Sequence, residues 1–321
     1  MIKKIPERVT TWYNKVYNGI ISSKPVNWII SRSKKIVLPG FNGVPLYDVA
    51  VFFYHGIRKG DLNTRASALA FSLFLAIFPA IIFFFTLIPY IPIVNFQESL
   101  MNILAEFIPT GIYNEVEGTL FDIINRPRGG LLSLGFVLAM FFATNSVHSL
   151  IDAFNQTYYT IETRSAFRQR LISIFLVFVL SFLVILAIGL ITFGPVVIRW
   201  IQDIGLLTDT ITLNIIIVGK WLVTFGLLFF AFAVLYYFAP AVKQKFRFVN
   251  AGTTLATILF IFTSIGFNIY VNNFARYNTL YGSIGTLIIF LLWLYVNSLI
   301  VLIGWELNAS IAVAKRSYDN I

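Results

Sequence analysis

The stretch IGTLIIFLLWLYVNSLIVLIG, residues 284–304, decides the fold. It runs for 21 residues without an Asp, Glu, Lys or Arg. An α-helix rises about 1.5 Å per residue, so about 20 apolar residues cross the roughly 30 Å of hydrocarbon in a bilayer. A helix also satisfies its own backbone hydrogen bonds, as hydrocarbon requires. The stretch therefore predicts a membrane-spanning helix.

Five further apolar runs of similar length precede this one, and most of them also lack charged residues. The six runs are residues 66–90, 131–150, 171–195, 215–239, 252–271 and 284–304. With 58% hydrophobic and 12% charged residues, the composition lies outside the range of soluble domains. We expect an all-α fold, a polytopic membrane bundle of six transmembrane helices with interfacial amphipathic helices.

Little of the chain remains for a second folded domain. We expect a basic cytoplasmic arm over residues 1–45, a transmembrane domain over residues 46–314 and a cytoplasmic tail over residues 315–321. Helical spacing of apolar residues predicts short amphipathic helices at residues 5–20, 96–107 and 113–124. We also expect a short helix around residues 46–59 that leads into the first run. The chain has no cysteine, which excludes disulfides and thiolate sites.

The basic residues are unevenly distributed. Residues 1–65 hold eleven basic and three acidic residues, and further basic clusters follow the second and fourth runs and end the chain. By the positive-inside rule, this distribution places both termini in the cytoplasm. The net charge of +10 therefore indicates orientation and contact of the arm with anionic lipid headgroups, and we expect no nucleic-acid partner.

The second run ends in a polar stripe that is the main candidate site. At about 100° per residue, its members fall within one face of a helix. They are Thr144, Asn145, His148, Asp152, Asn155 and Tyr159. Polar groups are costly in hydrocarbon, so the stripe faces either protein or water. One hypothesis is a cytoplasm-facing cavity in which His148 and Asp152 form a proton-linked pair. The other is a hydrogen-bonded seam between helices.

The sixth run carries a second polar group. Asn297 and Asn308 share one face with Gly304, whereas Glu306 lies roughly opposite them. An ion pair between Glu306 and a base such as Arg65 is one interpretation, and a role in binding a substrate or proton is the other. Asn297 is deeper in the run, where a buried amide requires partners.

Two single residues complete the candidates. Pro79 lies inside the first run, where it removes a backbone hydrogen bond and predicts a helix kink. Arg276 is the only base in the loop between the fifth and sixth runs, and we expect it to contact an anionic headgroup or an acidic residue.

The sequence gives no sign of catalysis. It has two histidines, His55 and His148, and neither belongs to a cluster with metal-ligand spacing. Phosphate-binding and nucleophile-elbow motifs are also missing. We therefore expect no enzyme activity, no metal and no cofactor.

Three stretches resemble the YihY/BrkB family of bacterial inner-membrane proteins. They are RASALAFSLFLAIFP at residues 65–79, the spacing of Asp152, Asn155, Tyr159 and Glu162, and YGSIGTLIIFLLWLYVNSLIVLIGWELNA at residues 281–309. The likeness covers about residues 45–313 and implies an envelope-linked protein of the inner membrane. Some members carry the label ribonuclease BN, which the missing metal-ligand clusters do not support.

The leading hypothesis is a transporter or flippase-like protein for a lipid-like or other amphiphilic solute. The alternative is a scaffold that transports nothing and recruits envelope proteins through its basic arm and its acidic outer segment. A membrane enzyme is the third and least favoured hypothesis.

Overall fold

The computed structural model describes residues 24–90, 97–98, 101, 117–118, 121–122, 124–157, 160–161, 164–203, 210–241, 249–273 and 283–319. The candidate residues Tyr159 and Arg276 lie outside this set. So do the amphipathic helix predicted for residues 5–20 and most of those predicted for residues 96–107 and 113–124.

Long helices dominate the described part of the chain. They are α1 (Lys24–Ser33), α2 (Leu46–Lys59), α3 (Leu62–Leu87), α4 (Gly129–Asn155), α5 (Ala166–Asp203), α6 (Thr210–Phe238), α7 (Ala251–Asn273) and α8 (Ser283–Asp319). A short 3-10 turn, Ile88–Tyr90, extends α3. A two-residue antiparallel pairing of β1 (Gln156–Thr157) with β2 (Thr160–Ile161) follows α4.

Within the described residues, six helices are long and apolar enough to cross a membrane. Their candidate spans are Leu62–Tyr90, Gly129–Asn155, Ala166–Leu190, Trp221–Phe238, Ala251–Val271 and Leu287–Asp319. This confirms the predicted all-α membrane bundle. The helices α4 and α8 continue beyond the apolar runs, to Asn155 and Asp319, because the polar residues in those extensions find partners on other helices.

The six spanning helices form a closed ring. Each of α3 to α7 packs against the next helix, and α8 packs against both α7 and α3. Most fully buried side chains lie at one end of this ring, where α3, α5 and α7 begin and α4 and α6 end. We call this the polar end, and it is marked by Arg65, Asn155, Gln169, Gly252 and Glu306.

Aromatic side chains fill the centre of the six-helix ring near the polar end. Trp305 lies 5.3 Å from Phe154 and 6.2 Å from Tyr236, measured between ring centroids. The indole Nε1 of Trp305 donates to the Phe154 carbonyl at 2.9 Å, and the Tyr236 hydroxyl donates to the Val301 carbonyl at 2.8 Å. Both buried donors, the Trp305 indole N–H and the Tyr236 hydroxyl, thus have a hydrogen-bond partner. The aromatic side chains therefore join α4 and α6 to α8.

The helix α2 covers the outer side of α8 at the polar end. Its Val49 packs with Leu307, Ile311 and Ala314 of α8 in a second apolar cluster. Its bounds agree with the short helix predicted around residues 46–59. The N-terminal part of the chain is thereby attached to the last span.

Candidate functional site

A buried ion pair lies at the polar end. A guanidinium nitrogen of Arg65 on α3 lies 3.3 Å from Oε2 of Glu306 on α8, and their side chains are 7% and 0% exposed. Arg65 also donates to the Ala153 carbonyl of α4 at 2.8 Å. The pair therefore connects α3, α4 and α8. The sequence predicts this partner for Glu306 as one of two interpretations, and the structure shows the ion pair.

The backbone of α2 lies directly over this pair. A methyl group at Gly56 would overlap with Oε1 of Glu306. That oxygen is buried and has no hydrogen-bond partner among the described residues. The same is true of Nε of Arg65. A buried carboxylate oxygen without a hydrogen-bond partner is costly, and the opposite charge of Arg65 at 3.3 Å offsets part of that cost.

A second close approach joins α7 to α8. A methyl group at Gly252 would overlap with the Gly304 carbonyl, and one at Gly304 would overlap with the Tyr236 hydroxyl. The Gly252 amide donates to Oδ1 of Asn308 at 2.9 Å, and the Asn308 amide donates to Asn250 at 2.9 Å. Small residues here let two backbones touch, as is common between membrane helices.

The end of α6 is held by two polar side chains. Oδ1 of Asn155 accepts the Ala241 amide at 2.8 Å. Arg164 donates to the Phe238 carbonyl at 3.1 Å and also to the Pro240 carbonyl. A cation beside the last carbonyls of a helix is favourable because those groups carry partial negative charge. Partial burial lowers the pKa of the Arg164 guanidinium from its ordinary value.

The polar stripe on α4 divides into separate contacts. Thr144 is buried and donates to the Met140 carbonyl of its own helix at 2.6 Å. Nε2 of His148 lies 3.7 Å from the Asp152 carboxylate, which also accepts a hydrogen bond from Gln169 of α5. Asn145 accepts one from Arg170 of α5 at 2.6 Å. These contacts agree with a seam between α4 and α5 that remains partly open.

The candidates on α8 lie in two environments. Asn297 donates to the Trp293 carbonyl at 2.7 Å, and its own Oδ1 is buried without a partner among the described residues. Asn308 belongs to the α7 contact described above. The predicted kink site, Pro79, is buried inside α3, which continues through it from Leu62 to Leu87.

An apolar cavity of 430 Å³ lies between α5, α6 and α7, away from the polar end, and it is open to the outside of the bundle, where lining side chains such as Val184 are more than half exposed. Its walls include Leu183 and Ala187 of α5, Ala231 of α6, and Phe260 and Ile265 of α7. The Ser264 hydroxyl in its lining is already bonded to the Phe260 carbonyl at 2.7 Å. The residues that the sequence singles out do not line this cavity.

Sequence reasoning missed Gly56, Gln169 and Arg170. Gly56 interrupts an amphipathic helix, and a helical glycine costs about 1 kcal/mol relative to alanine, so it signals a close contact. Gln169 and Arg170 of α5 come directly before an apolar run, and in the sequence the charge of Arg170 indicates only the orientation of the chain in the membrane. The role of both residues depends on which side chains of α4 they contact, which the sequence does not show.

Comparison with known proteins gives a consistent assignment. The model of the family described as Virulence factor BrkB matches residues 53–320. The ribonuclease-like protein YfkH of Bacillus subtilis (strain 168) is 32% identical over 269 residues, which cover 84% of this chain and 96% of that protein. A UPF0761 membrane protein of Histophilus somni (strain 2336) is 27% identical over 274 residues, which cover 84% of this chain and 91% of that protein. No solved structure matches the chain.

Proposed function

The chain belongs to the Virulence factor BrkB family, and from this membership and the geometry of the bundle we propose that it transports a lipid-like or other amphiphilic solute across the bacterial cytoplasmic membrane. The observation that carries the proposal is the difference between the two ends of the bundle. The polar end is closed by the Arg65–Glu306 pair and the glycine contacts, whereas the part away from the polar end contains the apolar cavity.

The cavity supports the choice of an amphiphile. Its volume of 430 Å³ lies within the range of about 300–1,000 Å³ that is usual for small-molecule sites. Its walls are formed mainly by aliphatic and aromatic side chains. Thr224 and Ser264 also line it, and the hydroxyl of Ser264 is already bonded to a carbonyl. A strongly hydrated solute would lose its water there without compensation, whereas a hydrocarbon chain would lose nothing.

The orientation follows from charge. At the polar end Arg58, Lys59, Lys315 and Arg316 are exposed. At the other end of α4, Asp122 forms ion pairs with Arg126 and Arg128. An excess of positive charge marks the cytoplasmic side, so we propose that the polar end faces the cytoplasm with both termini.

The proposal assigns no hydrolytic activity to the chain. The sequence has two histidines and no cysteine, and the described residues bring no three His, Cys, Asp or Glu side chains into one group. Such groups are what metal-dependent nucleases use to activate water. The word ribonuclease-like belongs to the name of the Bacillus subtilis relative.

The test is lipid translocation in proteoliposomes of defined composition. The purified protein is reconstituted with a fluorescent phospholipid. Chemical quenching removes the outer-leaflet signal at once, and any further loss of signal, from lipids that leave the inner leaflet, measures movement between leaflets. We expect movement above that of protein-free vesicles, and a strong reduction with Ala231→Phe, which fills the cavity. Ala68→Phe is the control, because Ala68 is an exposed residue of α3 that does not line the cavity.

Two results would count against transport. If wild-type protein moves no lipid while a known flippase does so in the same vesicles, the transport proposal is wrong and the scaffold alternative takes its place. If Ala231→Phe and Ala68→Phe reduce movement equally, the cavity is not the path.

A further inference from the structure

Arg170 points in an unusual direction. Its neighbour Gln169 bonds to Asp152, near the end of α4, whereas Arg170 reaches Asn145 and lies over the Phe141 ring at 5.6 Å. Phe141 is eleven residues deeper along α4 than Asp152, which corresponds to about 16 Å. Long basic side chains near helix ends normally extend toward the nearer interface. Arg170 instead extends away from the polar end and into the membrane.

The positive charge of Arg170 has no counter-ion in the described part of the chain. The ion pairs found there join Arg65, Arg126, Arg128 and His148 to carboxylates, and none includes Arg170. Its contacts are one amide oxygen and the face of one ring. A guanidinium has five N–H donors, and a charge inside a membrane requires an opposite charge or water.

The surroundings of Arg170 open sideways to lipid. The nearby side chains of Phe141, Phe167 and Leu171 are 50%, 74% and 51% exposed. Asn145 uses its oxygen to accept the Arg170 bond, which leaves its amide NH₂ group as a further donor. At the level of Asn145, the notch between α4 and α5 thus presents donors and one positive charge beside exposed apolar side chains. The Asp152 carboxylate lies about two turns nearer the polar end, where it accepts a hydrogen bond from Gln169.

We infer that Arg170 and Asn145 form a lateral binding site for the phosphate group of an anionic phospholipid. The phosphate supplies the missing negative charge and accepts hydrogen bonds from the planar guanidinium fork. The acyl chains lie against the exposed phenylalanines, which water-soluble phosphate compounds could not use. The site deepens the proposed function by naming the headgroup class, and in its biological role it rests on that proposal.

Binding is tested apart from transport. The full-length protein in detergent is analysed by native mass spectrometry with phosphatidylglycerol or phosphatidylcholine of identical acyl chains. We expect wild-type protein to prefer phosphatidylglycerol, and Arg170→Gln to lose about tenfold or more of that preference, as for other charge-assisted hydrogen bonds. The matched control is Arg168→Gln, which removes the same charge two positions earlier, where the side chain is exposed.

The outcomes separate the alternatives. Equal loss of the preference for phosphatidylglycerol in Arg170→Gln and Arg168→Gln would show that anionic lipid is attracted to the basic surface in general, and would overturn the site. Displacement of the lipid by inorganic phosphate at millimolar concentration would show that a soluble phosphate compound is the ligand and would overturn the lipid assignment. If Arg170→Gln does not fold, Arg170→Lys and Asn145→Ala take its place, and unchanged lipid preference in both would also overturn the site.

Failure of transport and failure of this site can be told apart. A preference for phosphatidylglycerol that depends on Arg170, in a protein that moves no lipid, would retain the site and reject the transport proposal. Lipid movement by a protein without such a preference would retain the transport proposal and reject the site.

Discussion

Arg65 and Glu306 are 241 positions apart in the chain, yet their side chains meet at 3.3 Å in the interior of the bundle. Their ion pair joins the first spanning helix to the last one and so closes the ring. Because Gly56 of α2 lies against the same carboxylate, the pair also attaches the segment that precedes the first span. Three parts of the chain therefore depend on one interaction.

Breaking this pair on one side should destabilise the protein more than removing both partners. Glu306→Leu leaves the Arg65 cation buried and unpaired, and such losses cost about 3–5 kcal/mol. The double variant Arg65→Met/Glu306→Leu leaves no buried charge, so we expect it to lose less than either single variant. Chemical unfolding in detergent measures all four proteins. Additive losses would show that the two side chains act independently.

Gly56→Ala should be costly only while Glu306 is present. The three atoms nearest to an added methyl group all belong to the Glu306 side chain. We expect Gly56→Ala alone to lower the unfolding free energy by about 1–3 kcal/mol, the usual range for overpacking. In a Glu306→Ala background the same substitution should cost little. Gly226→Ala, whose methyl group meets nothing within 4 Å, is the control.

Two glycines of α7 should respond in opposite ways to substitution by alanine. Gly252 touches the backbone and side chains of α8, whereas a methyl group at Gly266 meets nothing within 4 Å. We expect Gly252→Ala to lower the thermal midpoint clearly. Gly266→Ala should leave it unchanged or raise it, because alanine favours a helix by about 1 kcal/mol over glycine. A similar fall in both variants would contradict the close crossing of α7 and α8.

Arg164→Gln should loosen the end of α6. The guanidinium donates to the carbonyls of Phe238 and Pro240, and loss of hydrogen bonds from a charged group costs about 1.5–3 kcal/mol. Hydrogen exchange of the amides near Ala239 is the measurement, and faster exchange there than in wild-type protein is the expected result. Arg164→Lys should recover part of the protection, since it keeps the charge. Unchanged exchange in both variants would show that Arg164 does not cap the helix.

The spanning helices could be predicted because their signal is local. Crossing hydrocarbon requires a length and a composition that any 20-residue window of sequence displays, as residues 284–304 do. The extension of α8 to Asp319 could not be predicted in this way. It depends on partners for Glu306 and Asn308 that come from α3 and α7.

The candidate site was predictable only where polar residues stand out against an apolar run. Asn155 and Glu306 stand out for this reason, and the structure gives Glu306 a partner on α3 and Asn155 a partner just beyond the end of α6. The cavity was not recognised, because its lining is apolar like the rest of the helices, and a gap between helices leaves no mark in composition. The inward direction of Arg170 likewise depends on the position of Asn145 on another helix.

The order of synthesis gives the closed ring a further consequence. The ribosome makes Arg65 241 residues before Glu306, so the arginine has no counter-ion while the helices between them are inserted. Until α8 arrives, α2 also lacks the surface on which Val49 packs. Until Glu306 is made, the first spanning helix carries a cation without its carboxylate partner, which is costly in hydrocarbon. Synthesis of α8 is therefore the step at which Arg65 gains its counter-ion and α2 gains its packing surface.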